Sequence, residues 1–466
     1  MRFALLDQMR CSCGNEELRL EGAVTQRAPS SEEQSASCLR FCGLRQRPVI
    51  AGQPRPPECR ECGRQTILQG TLRCQCGQRW PIVDGVPSFS SRRFLNTPSN
   101  RFQVTETNPR TDPRWEPFVR AHPHASPFHH PGWLRALEEE YGQTRLHLAC
   151  EGLDGQLLAV LPMFYTRGLP INFGGHVVSR RLASLPRTPV GGVLSRDPEA
   201  TLALLQTAVD CSRSGAGAQL QIKTEDPGWD GLVHGLSRTS WRPTFVTPLP
   251  EKPEHLQFGN STTRHRLKWA VNKATKLGVR VREAQDESDL RAWYPLYLEV
   301  MRQNAVPPRP YRFFEALWKL LRPAGVLRLL LAERHQESRH TLLAGSILLT
   351  FGGMACYAFT GGRKQDFAFH PNDLIQWEAI HESCRMGARR YDFGEVPGEH
   401  RQLVHFKSKW GAEPTPLYRY YSPLPVAAEA SDSQSAGWLR QCVAAGWRQL
   451  PLCSTALLGD WIYSYL

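Results

Sequence analysis

Beyond Trp115 the apolar positions repeat with two periods, and stretches of the two kinds alternate along the chain. Leu374, Trp377, Ile380 and Cys384 recur at three- and four-residue steps, which gives a helix one apolar face. Pro371 precedes Asn372 and Asp373, both good N-cap residues, and Gly387 is placed as a stop. Arg390-Tyr391-Asp392-Phe393-Gly394 then reads as a strand that delivers Asp392 to its C-terminal end, where open sheets bind ligands. A polar loop is expected next, ending in the pair Phe406-Lys407. Upstream, the spacing predicts a basic helix over 262–277, a strand over 279–283 and helices over 288–303 and 311–321. Strands are expected at 327–333, 342–351 and 354–360, with Gly352-Gly353 as a tight hairpin turn, and a last strand at 417–421.

The preceding stretch has the same texture. Pro131-Gly132 introduces a helix with Trp133, Leu134, Leu137 and Tyr141 on one face. Segments 146–150 and 157–164 flank Asp154-Gly155 as a hairpin, and an amphipathic helix over 199–212 leads to a strand over 219–223. His122, His124, His129 and His130 sit in a Pro-rich segment and read as surface residues, with a metal site as the alternative. The last forty residues begin polar and continue with Trp438, Leu439, Cys442, Val443 and Trp447 at helical steps. Docking of this tail onto the preceding domain is expected, and a peripheral membrane helix is the alternative.

At 466 residues, 41% hydrophobic and 22% charged, the chain has the size and composition for two or three soluble domains. No apolar run reaches the roughly 18–20 residues that span a bilayer. The start, MRFALLDQMRCSCG, lacks the pattern of a signal peptide, so a cytoplasmic location is expected, with contact at the inner membrane face left open. A net charge of +13 suits anionic partners: RNA, phosphorylated precursors or an anionic membrane surface. Cys150, Cys211, Cys356, Cys384, Cys442 and Cys453 stand singly in apolar contexts and read as small core residues.

The other eight cysteines form four pairs, Cys11/Cys13, Cys38/Cys42, Cys59/Cys62 and Cys74/Cys76, and every pair ends in Cys-Gly. A zinc knuckle needs that glycine because its backbone turns tightly around the thiolate. Eight thiolates can hold two zinc ions, with nested and sequential pairings both open. The frame Leu5-Leu6-Asp7-Gln8-Met9-Arg10-Cys11, Leu72-Arg73-Cys74-Gln75-Cys76-Gly77 and Trp80-Pro81-Ile82-Val83-Asp84-Gly85-Val86-Pro87 resembles a small zinc-ribbon family. The founding member of that family activates tRNA and release-factor methyltransferases. The resemblance favours the nested pairing and implies a structural zinc and a docked protein partner.

Strand, two helices, three antiparallel strands, helix, strand is the order of the GNAT acyltransferase fold. Two such units in tandem resemble the FemAB family, twin-GNAT ligases that move an amino acid from aminoacyl-tRNA onto an amine of a peptidoglycan precursor. The motifs are Trp115-Glu116-Pro117-Phe118, HHPGWLRAL from His129, Leu161-Pro162-Met163-Phe164, Trp377-Glu378-Ala379-Ile380, Tyr391-Asp392-Phe393-Gly394 and Phe406-Lys407-Ser408-Lys409-Trp410-Gly411. Trp447-Arg448-Gln449-Leu450-Pro451-Leu452 is similar to FemAB-like proteins of exosortase and exopolysaccharide systems. The fold expected is therefore α/β (α+β): a zinc ribbon with an insertion (1–91), a linker (92–114), GNAT-like domains at 115–258 and 259–425, and a helical tail (426–466).

The resemblance implies transfer of an acyl or amino-acid group onto an amine of a cell-wall, polysaccharide or related precursor. Lys407 is implicated at the reacting centre, supplying positive charge beside the developing oxyanion, and Asp392 would orient or deprotonate the amine. Phe406, Tyr357, Trp377, Gly394, Arg264 and Lys268 are the substrate-contact candidates. The donor is aminoacyl-tRNA or acyl-CoA, and the acceptor an anionic lipid-linked or nucleotide-linked precursor. Residues 363–372 contain no glycine, unlike the loop that cradles the pyrophosphate of acetyl-CoA. Two other readings stand beside this one: an acetyl-CoA-dependent N-acetyltransferase, and a non-catalytic module that binds a ligand while the ribbon docks a protein.

Overall fold

A computed structural model describes residues 18–27, 41–42, 47–48, 65–75, 79–83, 86–87, 101–168, 180–214, 218–336, 339–396, 400–424, 434–463 and 465. The chain divides into two compact units, Met1–Arg93 and Phe94–Leu466. In the first, β1 (Leu18–Arg27), β2 (Phe41–Cys42), β3 (Arg47–Pro48), β4 (Gln65–Cys74), β5 (Arg79–Val83) and β6 (Val86–Pro87) make a sheet ordered β1-β4-β5-β6 and a β2–β3 pair. Leu18, Ile67, Leu72, Cys74 and Ile82 are buried there. Of the eight paired cysteines, Cys74 ends β4 and Cys42 lies in β2. Cys11, Cys13, Cys38, Cys59, Cys62 and Cys76 lie outside the described residues.

The first half of the second unit runs β7 (Phe102–Thr107), α1 (Trp115–Arg120), α2 (Pro131–Tyr141), β8 (Thr144–Arg145), β9 (His147–Gly152), β10 (Leu157–Leu161) and β11 (Met163–Thr166). It continues through β12 (Arg181–Ser184), β13 (Leu194–Ser195), α3 (Pro198–Ser214), β14 (Gln219–Thr224) and β15 (Ser237–Pro248). The second half runs α4 (Ser261–Lys276), β16 (Val279–Glu283), α5 (Glu287–Gln303), α6 (Tyr311–Leu321), β17 (Leu327–Gln336), β18 (Arg339–Phe351) and β19 (Met354–Gly362). Then come α7 (Pro371–Arg385), β20 (Arg390–Glu395), α8 (Arg401–Ser408) and β21 (Glu413–Ser422), and the tail adds α9 (Gln434–Gln449) and α10 (Leu452–Tyr463).

The two halves share one eleven-stranded sheet, ordered β16-β17-β18-β19-β20-β15-β21-β14-β12-β11-β8. Each half gives its last strand to the other: β15 pairs with β20, and β21 pairs with β14. The exchanged strands also pair with each other from Ser237↔Tyr421 to Val246↔Glu413. A boundary between 258 and 259 therefore cuts the chain at a loop but does not separate two closed sheets.

The core is shared in the same way. Trp115, Trp133 and Phe164 of the first half are buried in one cluster with Trp293, Phe313 and Phe314 of the second. Rings of Trp133 and Phe313 meet edge-on at 5.6 Å, so α2 packs directly on α6. Gly361 lets α5 approach β19: a Cβ there would stand 2.7 Å from the Tyr297 amide nitrogen. The tail docks as expected, with Leu452, Ala456 and Tyr463 of α10 packed against this core.

Several local expectations are corrected. Phe102–Thr107, assigned to the linker, is a strand in a four-stranded sheet with β9, β10 and β13. Pro162 divides the expected 157–164 strand, because it has no N–H to give a ladder; β10 stays with the small sheet and β11 joins the large one. Asn372 and Asp373 lie inside α7 rather than capping it, since His370 takes the N-cap position at φ 55°. Part of the loop expected before Phe406-Lys407 is α8. His122, His129 and His130 are buried, and Cys442 and Cys453 are exposed.

If the strand exchange holds the halves together, residues 259–425 alone should lack a cooperative melting transition, whereas 94–466 should show one. A sharp transition in the shorter fragment would mean that β15 is dispensable.

Candidate active site

Parallel pairing of β19 with β20 stops at Cys356↔Asp392, and that of β12 with β14 stops at Ala183↔Gln221. A cavity of about 510 Å³ is lined by residues that follow both last pairs: Tyr357, Phe359, Gly394 and Glu395 from one half, Arg187, Thr188 and Lys223 from the other. Asp392, Arg309 and Arg419 complete its polar wall, and Trp133 and Phe128 contribute apolar surface.

Asp392 is buried, and its Oδ1 accepts hydrogen bonds from Thr244 Oγ1 and from the Gly394 amide at 2.7 Å. No described residue bonds its Oδ2. Burial raises the acid above the ordinary carboxylate range, and the Thr244 and Gly394 bonds and the nearby Lys407 charge oppose that only in part. A carboxyl held in this way is a stronger base than an ordinary aspartate.

Lys407 does not line the cavity. Its ammonium is buried behind β20, donating to Phe393 O at 2.7 Å and Gly394 O at 2.8 Å. Successive carbonyls of a regular strand point to opposite sides, and Gly394, at φ +82°, turns the second one to the same side. Burial pushes Lys407 down to about 8, while Asp392 and Glu395 pull it the other way.

Tyr357 lines the cavity, and its hydroxyl accepts from Ser346 Oγ at 2.8 Å. Gly394 lines it as well. The other four candidates lie elsewhere. Trp377 packs against Phe258 and His381 on α7; Phe406 lies under the Lys409 ammonium at 4.5 Å. Arg264 and Lys268 stand on α4, outside the lining. The structure thus brings together Asp392, Tyr357 and Gly394, with Lys407 behind them. The contributions of Lys223, Arg187, Arg309 and Arg419 were not foreseen. One signal was present in Leu220-Gln221-Ile222-Lys223, where alternation sets a lysine on a strand face opposite two core residues.

The start of α7, where a GNAT pyrophosphate cradle would lie, is closed by its own chemistry. Pro371 has no N–H to offer, and His370 gives no side-chain cap. Asp373 fills the first turn, paired with Lys409 and 3.3 Å from His370 Nδ1. A carboxylate already holds the positive end of the helix.

The histidine group serves the fold. His122 Nδ1 accepts the His124 amide at 3.2 Å and its Nε2 lies 3.0 Å from Ser195 O; His129 bonds Ser126 and Gly192 O through its two nitrogens. Burial pushes His129 down to about 4, so it stays neutral. Among the described residues no group of three or more His, Cys, Asp or Glu side chains is arranged to hold a metal.

Residues 261–407 match the family described as Acetyltransferase (GNAT) domain. No curated protein matches the chain. Among solved structures the chain is similar to a crystal structure of FemX, with a TM-score of 0.55 and 16% identity over 73% of this chain and 99% of that one. Weaker likenesses are to L-PGS from Bacillus licheniformis (TM-score 0.41, 9% identity, 67% and 96% covered). A tandem GNAT protein from the clavulanic acid biosynthesis pathway is similar at a TM-score of 0.43 (11%, 70% and 99%). The chain has a GNAT-type acyltransferase fold.

The Lys407 clamp has a pH signature. Between about 8 and 10.5 the folded protein releases this proton while the unfolded chain keeps it, so stability rises with pH across that window. Relative to Lys407→Met, the wild type should gain about 1–3 kcal/mol between about pH 7 and pH 10 in denaturant unfolding. An unchanged gap would show that the ammonium is not buried.

Proposed function

We propose that the chain is an acyl or aminoacyl transferase that acts on an amine of a cell-wall, polysaccharide or related precursor. The observation that carries this is Asp392, a buried acid with one oxygen unengaged by any described residue, on the wall of a cavity where both GNAT-like openings meet. The amine nitrogen bonds the donor's acyl carbon, the bond from that carbon to the donor's oxygen or sulfur breaks, and Asp392 takes the amine proton. Lys407 acts from behind: its two bonds hold the turn at Gly394 that directs the amide onto Asp392.

The closed start of α7 favours a donor other than acetyl-CoA, and the resemblance of the sequence motifs to the FemAB family makes aminoacyl-tRNA the donor to test first. The same reading carries the structural zinc: the four Cys-Gly pairs would hold it and leave no open coordination position for chemistry. Metal analysis of purified protein tests that part, and freely titrating thiols without zinc would end it.

For the transferase itself, thermal stabilisation should follow addition of charged tRNA and be absent with acetyl-CoA. Stabilisation by acetyl-CoA would replace the donor, and no response to either would favour a binding module. Asp392→Asn should keep its melting temperature within a few degrees and lose about 10²–10⁴-fold in transfer rate. The wild-type rate should rise with pH through a value above 3.8, the ordinary value for aspartate, because the base must be ionised and burial resists that. Lys407→Ala should abolish transfer with the chain still folded; full activity in either variant would remove that residue from the mechanism.

A further inference from the structure

Four basic side chains, Arg187, Lys223, Arg309 and Arg419, share the wall of the central cavity. Among the described residues none of the four has an ion-pair partner. Lys223 stands directly opposite Arg419 in the register of β14 on β21. Like charges at opposed strand positions repel, and burial strengthens the repulsion.

The side chains are nevertheless held in place. Lys223 Nζ donates to Leu185 O at 3.0 Å and Thr188 O at 3.1 Å, so its protonated form would have one hydrogen left for an anion in the cavity. Those carbonyls belong to a backbone turn in which Leu185 and Arg187 take φ of 46° and 61°, conformations that side chains other than glycine resist. Arg309 Nη2 bonds Arg187 O at 2.9 Å, and Arg187 Nη2 bonds Tyr463 O of α10 at 2.7 Å. Arg187 Nε and Nη1 and Arg419 Nε are buried without hydrogen-bond partners. Strained backbone, the tail helix and both halves therefore hold four basic groups on one wall with no ion-pair partner among the described residues; burial and the neighbouring guanidiniums push the Lys223 ammonium well below its ordinary value, a cost that a bound anion would relieve. Glu395 is a carboxylate that acts on Lys223 and Arg419, and its Oε2 already accepts from Trp241 Nε1 at 3.0 Å.

Asp392 occupies a different electrostatic setting in the same cavity, shaped by Lys407 and Glu225. One wall thus calls for an anion while another offers an unengaged carboxyl oxygen for an amine. We infer that Arg187, Lys223, Arg309 and Arg419 form an anion seat that takes a carboxylate or phosphate of the acceptor while its amine lies at Asp392. The inference rests on the acyl-transfer reading and narrows its acceptor: the substrate carries an amine and an anionic group in one molecule. A volume of about 510 Å³ is in the range of small-molecule sites.

Calorimetric titration of the full chain with pyrophosphate, inorganic phosphate and glutarate, at fixed ionic strength, tests this without turnover. Saturable binding of the phosphate probes or of the dicarboxylate is expected, and which class binds identifies the anion. Affinity should fall at least tenfold in Arg419→Gln and in Lys223→Met and stay unchanged in Arg291→Gln, an exposed arginine of α5. Melting curves confirm that the variants fold, and Arg419→Gln carries the test if loss of the Lys223 bonds unfolds the turn. No saturable binding by any probe, or equal affinity in Arg419→Gln and Arg291→Gln, overturns the seat. Because binding is read without transfer, that result would leave the role of Asp392 standing or falling on its own variant.

Discussion

The rest of the second unit depends on the exchange of last strands. Backbone N–H and C=O groups at a sheet edge need partners; β20 and β14 each pair on one side within their own half, and the other side is paired by a strand from the other half. The exchange sets β15 and β21 side by side at the centre of one continuous sheet. It also brings the two openings, beyond Cys356↔Asp392 and Ala183↔Gln221, onto one cavity. A GNAT-like unit standing alone would have one opening and an unpaired inner edge.

Around that cavity the polar groups fall into two sets with different work. Asp392, Gly394 and Lys407 form a local device in which a glycine conformation aligns two carbonyls, a buried ammonium fixes them, and the neighbouring amide steadies the acid. The basic side chains come from distant parts of the chain, and only the complete fold assembles them. Arg309 illustrates the point: its guanidinium lies 4.5 Å from the Phe313 ring and 5.2 Å from that of Tyr463, and bonds the Arg187 carbonyl. Aromatic faces and one carbonyl stabilise the charge without neutralising it.

Much of the second half was legible in the sequence because its elements are long and their periods clean. The Gly352-Gly353 turn, with Phe351 opposite Met354, and the strand carrying Asp392 follow directly from local pattern. What pattern could not supply was partnership between distant segments. Nothing local in Ser237–Pro248 says that it pairs with β20 rather than closing its own half. His129 read as a surface residue because its neighbours are prolines and histidines, yet a bond between Ser126 and its Nδ1 and one from its Nε2 to the Gly192 carbonyl let it be buried neutral. Lys407 was conspicuous through its Phe-Lys motif, but its direction depends on the φ of Gly394, thirteen residues away. Arg187 and Lys223 carry no motif, and only the assembled cavity gives them meaning.

Hydrogen–deuterium exchange with a charged-tRNA pool tests most directly whether the two halves form one reaction chamber. Protection should appear together in peptides covering 185–189, 357–359 and 393–395. Protection confined to one half, or to the exposed face of α4, would contradict the account.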